Sequence, residues 1–398
     1  MTHKRIHRLA VSSFFFLAGL CFFSWASRIP DIRLRLRLDN AALGAVLLAL
    51  PVGLMVSLPL AGWLVARFGS RRIATIAAIG YACTLPLLGL AAAVWQLMGC
   101  LFLFGMGGNL LNISMNTQAV GTEQLYGRTI MASYHGLWSL AGFSGAAVGN
   151  LMIGLGLPPY LHFLLISALA LGTIAIASGK LIPHLADTTA APPTRTDTTG
   201  PGAAQSNPLG AKKPIFAMPD RSLISLGLIA FCSMICEGSM FDWSGVYFQK
   251  VIQPPREWLG AGLTAFTCTM AAARFIGDWM TTKWGIRTIL QASGLLTAVG
   301  LLTAIGWPGL GTGIGGFLLV GAGVSSVVPL VYSAAGRSKR LSPGVALAAV
   351  STIGYLGFLF GPPFIGFIAQ ASSLRVSLGL IAILGSAITL IATRTKFQ

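Results

Sequence analysis

Gly62-Trp63-Leu64-Val65-Ala66-Arg67-Phe68-Gly69-Ser70-Arg71-Arg72 decides the fold of this chain, because much of it returns 216 positions later as Asp278-Trp279-Met280-Thr281-Thr282-Lys283-Trp284-Gly285-Ile286-Arg287. Trp63 falls on Trp279, Arg67 on Lys283, Phe68 on Trp284, Gly69 on Gly285 and Arg71 on Arg287. The same ungapped register runs outward from the motif. Upstream, Leu43-Gly44-Ala45 meets Leu259-Gly260-Ala261; downstream, Gly99, Leu103, Gly105 and Gly107 meet Gly315, Leu319, Gly321 and Gly323, and Gly145 meets Gly361. Chance aligns Leu with Ala in any apolar chain. It does not align a basic cluster, a glycine series and a tryptophan in one register, so the chain reads as a duplicated unit.

The motif sits between two apolar runs, and such runs fill the chain. Of 398 residues, 55% are apolar and 9% charged, and the mean hydropathy is +0.77. Soluble proteins carry about 25% charged residues, so this composition excludes an aqueous enzyme, a nucleic-acid binder and a disordered scaffold. Crossing the ~30 Å hydrocarbon layer takes roughly 20 apolar residues in a helix. Twelve runs qualify, at 9–27, 42–65, 73–93, 97–119, 130–155, 160–179, 222–248, 259–281, 288–307, 309–334, 343–369 and 376–393. They are expected to be helices: open strands leave backbone groups unsatisfied in lipid, and the runs lack the alternation of barrel strands. Trp307-Pro308-Gly309 alone divides the ninth from the tenth. Lys4, Arg5 and Arg8 ahead of the first run resemble a secretory signal, but eleven runs follow, and the first is read as an uncleaved helix.

The 27 Lys and Arg outnumber the 10 Asp and Glu. With the N-terminus inside, 19 of the basic residues fall in inner segments and seven in outer ones, with Arg274 inside a span. That satisfies the positive-inside rule and puts both termini in the cytoplasm. The first outer loop is the exception, with Arg28, Arg33, Arg35 and Arg37 against Asp31 and Asp39. Two readings stand for it: a short interfacial helix dipping Leu34, Leu36 and Leu38 into the headgroups, or an anion-attracting mouth. The six cysteines (21, 83, 100, 232, 236 and 268) fall in spans and read as buried structural thiols. Neither they nor the five histidines show metal-ligand spacing, so no metal or cofactor is expected.

Residues 181–220, rich in Pro, Thr, Ala and Gly, break the pattern and read as a flexible cytoplasmic linker. Residues 1–180 and 221–398 then form an N-terminal and a C-terminal six-helix bundle. Repeats of this kind place a binding site at the bilayer midplane between the halves, which rock to open it to each side in turn.

The chain resembles the major facilitator superfamily, whose motif between helices two and three is a Gly, a small gap, an Asp, then Arg-x-Gly-x-Arg-Arg. The resemblance covers all twelve spans and implies an all-α membrane protein of two pseudo-symmetric bundles. It makes Gly62, Arg67, Gly69, Arg71 and Arg72, with Asp278, Lys283, Gly285 and Arg287 of the second copy, an inner gate. The chain departs from the family at Ala66, where the Asp belongs, and in the second copy Asp278 holds the Gly position and Thr282 the Asp position. The gate's charge latch is weakened unless Asp278 supplies the acid one turn earlier. Ser24-Trp25-Ala26-x-Arg28-x-Pro30, His135-Gly136, Glu237-Gly238-Ser239-x-x-Asp242-Trp243 and Gly361-Pro362-Pro363 resemble the YbjJ-type branch near fucose permease.

An ionised group at the bilayer centre costs roughly 2.5–3.5 kcal/mol on insertion scales, so each needs a reason. Glu237 and Asp242 lie five apart in the seventh span and point about 140° from each other, with Glu237 the deeper. A deep carboxylate suits a proton carrier; alternatively Glu237 forms a structural ion pair with Arg274 of the eighth span. Arg274 and Asp278, four apart, offer each other a pairing as well. Asn109, Asn112 and Asn116 share one stripe of the fourth span, as contacts for a hydroxylated solute or as glue between helices. The fucose-permease relatives carry Glu-x-x-x-Asn there in proton coupling; this chain has Asn112-x-x-x-Asn116, which leaves the seventh helix or His135 to carry a proton. Arg28, Trp25, Trp138 and Tyr355 complete the candidates for substrate contact, with packing, or for Arg28 snorkelling, as the alternative for each.

The leading expectation is a secondary transporter, monomeric, in a bacterial inner membrane, moving a small polar, sugar-like solute with protons. Proton-coupled efflux of a drug or metabolite is the alternative. The absence of a Gly-x-x-x-x-Gly-Lys-Ser/Thr loop argues against ATP-driven transport by this chain, and His135 lacks the partners of a hydrolytic nucleophile, which argues against a membrane enzyme.

Overall fold

A computed structural model of the chain describes residues 3–126, 130–183, 221–336 and 343–395. The linker expected at 181–220 lies almost wholly outside them. Among the described residues all regular structure is helical, and twelve helices are long and apolar enough to cross a bilayer. The first half runs α1 (His3–Ser27), α2 (Ile29–Arg35), α3 (Asn40–Leu47), α4 (Ala49–Phe68), α5 (Ser70–Leu90), α6 (Val94–Tyr126), α7 (Met131–Gly154) and α8 (Pro159–Ala177). The second runs α9 (Arg221–Tyr247), α10 (Ala261–Gly306), α11 (Leu310–Val324), α12 (Val327–Gly336), α13 (Pro343–Ala371) and α14 (Leu374–Arg394). Pairs α3–α4 and α11–α12 each make one span, and α10 makes two, bent at Gly285. Trp307-Pro308-Gly309 does separate the ninth span from the tenth.

The boundaries follow the apolar runs to within a few residues except at the first span, whose helix starts at His3, and the fourth, whose helix continues to Tyr126. Polar residues at and beyond the end of the apolar run explain the latter extension. Gln118 donates to Ser70 Oγ at 2.8 Å and accepts from Ile182 N–H at 2.8 Å, tying three inner helix ends together. Glu123 then accepts from the free N–H groups of Ile130 and Met131 at the start of α7, 2.6 and 2.8 Å away, where a helix N-terminus favours a carboxylate.

Within the first half α1 packs on α7 and α8, and α6 on α4 and α5; within the second, α13 packs on α9 and α10 on α11 and α14. The duplication is visible in three dimensions. Gly69 (φ 82°, ψ 145°) and Gly285 (φ 78°, ψ 154°) adopt the same left-handed turn at equivalent positions, a conformation that favours glycine. Trp63 meets Phe68 edge-on at 6.0 Å, as Trp279 meets Trp284 at 5.7 Å. A side chain at Gly105 would strike the carbonyl of Leu50, and one at Gly321 the carbonyl of Phe266, again 216 positions on.

The halves meet along α3 with α13 and α7 with α10. Toward the outer end, away from the termini, Asn40 Nδ2 donates to Ala369 O (3.1 Å), Asn40 N–H to Gln370 Oε1 (3.2 Å) and Lys250 Nζ to Asn40 Oδ1 (3.1 Å). Nearby, Gly260 N–H donates to Asn150 Oδ1 at 2.8 Å. Farther in, Arg274 Nη1 donates across the joint to Ser139 Oγ at 2.8 Å.

Two expectations change. The thiols are not all buried: Cys83 and Cys268 are exposed and Cys100 is half-buried, because they stand on outward helix faces. The first outer loop does form a short helix, α2, but only Leu34 of its leucines is exposed, whereas Leu38 joins the core. Its arginines bind helix ends: Arg35 donates to the carbonyls of Gly89 and Ala91 closing α5, and Arg28 to that of Leu157 after α7.

Candidate functional site

Spans seven, eight, five and ten converge on one guanidinium. Arg274, in the fourth turn of α10, donates through Nη2 to Glu237 Oε1 at 3.2 Å, through Nη1 to Ser139 Oγ at 2.8 Å and through Nε to Ser325 O at 3.3 Å. Its charge also lies 5.9 Å over the ring of Trp138. Three oxygens on three different spans thus use the planar fork of one arginine. Glu237 is 5% exposed and is held by this pair. Of the two pairings open to Arg274, the structure displays the one with Glu237; the side chain of Asp278 lies outside the described residues.

The tenth span explains the third contact. Its helix stops at Val324 and restarts at Val327, so the carbonyl of Ser325 is free to accept from Arg274. A break inside a membrane is tolerated where protein groups satisfy the freed backbone. Glu237 and Arg274 belong to the second half, while Ser139 and Trp138 belong to the first, so the cluster bridges the joint. Ser139 Oγ in turn donates to His135 O at 3.1 Å. Above the cluster Phe241 meets Phe22 at 5.5 Å and Phe23 at 4.9 Å, edge-on in each case, and Phe23 meets Trp138 at 5.3 Å. Aromatic rings from both halves therefore roof the charged group.

The other candidates are dispersed. Asp242, a turn farther out than Glu237, is half-buried and makes no hydrogen bond or ion pair among the described residues. His135 is exposed, edge-on to Phe15 at 5.4 Å. Tyr355 is half-buried; it stands at the repeat position of Ser139. Asn109 is buried and donates to Ser57 Oγ at 2.9 Å, a bond inside the first half. Asn116 Nδ2 donates to Asn112 Oδ1 at 2.9 Å and to its carbonyl at 2.8 Å, so these two amides, both half-buried, clasp each other. Trp25 is buried against Phe163. Arg28, 1% exposed, pairs with Asp31 at 2.7 Å. Burial holds the Asp31 carboxyl above the usual aspartate range, with Arg28 and Arg256 pulling against it.

The inner motif arms stay within their own halves. Arg71 Nε donates to Ser178 O at 3.2 Å at the end of the sixth span, and Arg287 to Ala392 O at 3.4 Å and to Thr393 O at the end of the twelfth. Arg67 lies over Phe68, and Lys283 over Trp279 and Trp284. Gly62 faces open space and Arg72 is exposed.

Sequence reasoning missed Ser139, Ser325 and the Phe22, Phe23 and Phe241 collar. The cluster Gly321-x-Gly323-x-Ser325-Ser326 was a signal for the broken helix; nothing in the sequence marks Ser139 among the other serines of the spans.

Two pseudo-symmetric helical bundles with twelve candidate membrane spans, joined across an ion pair, define a polytopic membrane protein. The model of the Major Facilitator Superfamily matches residues 11–262. An uncharacterized MFS-type transporter of Yersinia pestis is 33% identical over 93% of this chain and 91% of its own length. An uncharacterized transporter of Sinorhizobium fredii is 30% identical over 97% of both, and the membrane protein MosC of Rhizobium meliloti 31% over 96% and 88%. Among solved structures, an inward-facing, unoccupied bacterial homologue of the lysosomal transporter Spinster superposes with a TM-score of 0.74 at 15% identity, covering 99% of this chain and 98% of that one. The nucleoside transporter NupG gives 0.72 at 14%, covering 99% of each, and FucP in its outward conformation 0.64 at 16%, covering 98% of each. At these identities the likeness shows the fold alone. The chain belongs to the Major Facilitator Superfamily, and is a multi-pass membrane transporter, not an enzyme.

Proposed function

We propose that the protein is a proton-coupled secondary transporter of a small polar, sugar-like solute. It works as a monomer in a bacterial inner membrane with both termini in the cytoplasm. The observation that carries this reading is the Arg274 cluster: one guanidinium joins Glu237 of its own half to Ser139 of the other. Protonating Glu237 removes the charge that holds Arg274, freeing the guanidinium to bind solute or to release Ser139 and let the halves part. Proton uptake and rocking are then one event, as alternating access requires. Trp138 and Tyr355 offer ring faces to a solute, and the Asn112–Asn116 pair offers amide groups once it opens. Asn109 and Trp25 serve packing, and Arg28 anchors the outer loop. Asp242 and His135 are further stations for the proton. The inner motif, from Gly62 to Arg72 and from Asp278 to Arg287, forms the hinge and rim of the inner gate.

The aromatic collar supports a second reading, efflux of an amphipathic metabolite or drug whose apolar part lies against Phe22, Phe23 and Phe241.

Proteoliposomes test the proposal. After a thermal-shift screen of sugars, nucleosides, organic acids and antibiotics has supplied a solute, Glu237→Gln is expected to abolish pH-driven accumulation and to leave solute exchange intact. Accumulation by that variant at the parent's level overturns the role of Glu237; the sign of the pH gradient that drives movement separates import from efflux.

A further inference from the structure

Arg33 stands out among the outer arginines. Arg28 and Arg35 find carbonyls, but Arg33 is 5% exposed and its Nε and Nη1 make no hydrogen bond. A buried, unpaired guanidinium is costly, by several kcal/mol per ion in real proteins, and a group of this kind calls for a counter-ion.

Geometry says where the counter-ion would sit. Pro30 and Arg33, three residues apart in α2, share a face, and that face meets the outer end of the seventh span. There Gln249 Nε2 donates to Pro30 O at 3.5 Å, a side chain at Gly245 would lie 2.7 Å from Pro30 Cγ, and Gln249 Oε1 is buried with no hydrogen-bond partner. The next residue, Lys250, uses Nζ on Asn40 Oδ1 at 3.1 Å and keeps further donors, and its charge feels that of Arg33. The carboxylate in reach is Asp39, but it is exposed, and its Oδ1 accepts from Ala42 N–H as the cap of α3. Two cations from opposite halves thus lie close enough to feel each other, each with donors to spare.

We propose that the outer mouth holds a small inorganic anion, chloride being the probe, between Arg33 of the first half and Lys250 of the second. The ion bridges the halves only while the outer mouth is shut, so it stabilises that state.

The test is the thermal midpoint of the purified full chain in sodium chloride and in sodium gluconate at equal ionic strength. Chloride is expected to raise the midpoint by several degrees in a saturable way. Arg33→Gln and, independently, Lys250→Gln are expected to lose that dependence, so a poorly folding Arg33 variant leaves the second to decide. Asp39→Asn, which keeps the helix cap and removes the competing carboxylate, is expected to lower the chloride concentration needed for half the effect. Equal midpoints of the parent in the two salts, or full chloride dependence in Lys250→Gln, overturn the proposal. Neither outcome touches the role of Glu237, which is read by transport.

Discussion

Arg274 gathers three oxygens with a single rigid fork, and that geometry makes two substitutions informative. Arg274→Lys keeps the charge but concentrates it on one nitrogen, which cannot reach Glu237, Ser139 and Ser325 together; transport is expected to fall to background while purified protein remains folded. Ser139→Ala removes one hydrogen bond to a charged group, worth about 1.5–3 kcal/mol. Because that bond joins the halves, its loss is expected to slow solute uptake by about tenfold or more while the thermal midpoint moves only slightly. Asp31 gives a pH signature. With its carboxyl raised above the usual range by burial, the folded protein binds more protons than the unfolded chain between the two values. Stability from this group is therefore present at acid pH and is lost as pH rises through that window. Thermal midpoints across pH 4 to 7 are expected to favour the parent over Asp31→Asn at the acid end, with the difference shrinking as pH rises. Glu237 and Arg274 were legible as candidates because any charge in a span demands explanation. Ser139 was not, since a serine in a helix usually turns back to its own carbonyls, and this one does so while also accepting from a helix of the other half.

At the scale of elements, apolar run length and the helix-breaking triplet at Trp307 set the spans well. Polar side chains such as Gln118 and Glu123 set the far end of the fourth span, which the run places seven residues too early. The broken tenth span was only half legible: its glycines were plain, but glycine also marks close packing, and the sequence does not say which role it takes. The crossing of α3 and α13 shows the packing role. A side chain at Gly44 would stand 2.6 Å from Pro362 O, and one at Gly366 2.5 Å from Asn40 O. Gly44→Val is expected to hold the outer mouth open: solute binds from outside, measured by equilibrium binding, but is not carried across.

For the whole molecule, the duplication was readable from five aligned motif positions, and the turn at Gly69 and Gly285 and the contacts at Gly105 and Gly321 repeat it in space. The chemistry does not repeat. Leu58 stands where the second half has Arg274, Cys21 where it has Glu237, and Asn109 where its helix breaks at Ser325. A symmetric scaffold holds an asymmetric site, and register alone cannot reveal which half carries the charge. Closure is testable by cross-linking. A Cβ at Gly260 would lie 2.9 Å from that of Asn150, so Asn150→Cys with Gly260→Cys, in a chain whose exposed Cys83 and Cys268 are Ser, is expected to form a bond on oxidation. That bond stops transport, and reduction restores it.

The aromatic pairs Trp63–Phe68 and Trp279–Trp284, with Arg67 over Phe68 and Lys283 over both Trp279 and Trp284, have the ring-and-cation chemistry that anchors a helix end among lipid headgroups. The rocking proposed above would tilt those anchors in opposite senses and make neighbouring lipids stretch or bunch with every cycle. Turnover is thereby tied to the thickness and elasticity of the surrounding bilayer, a load that a detergent micelle does not impose.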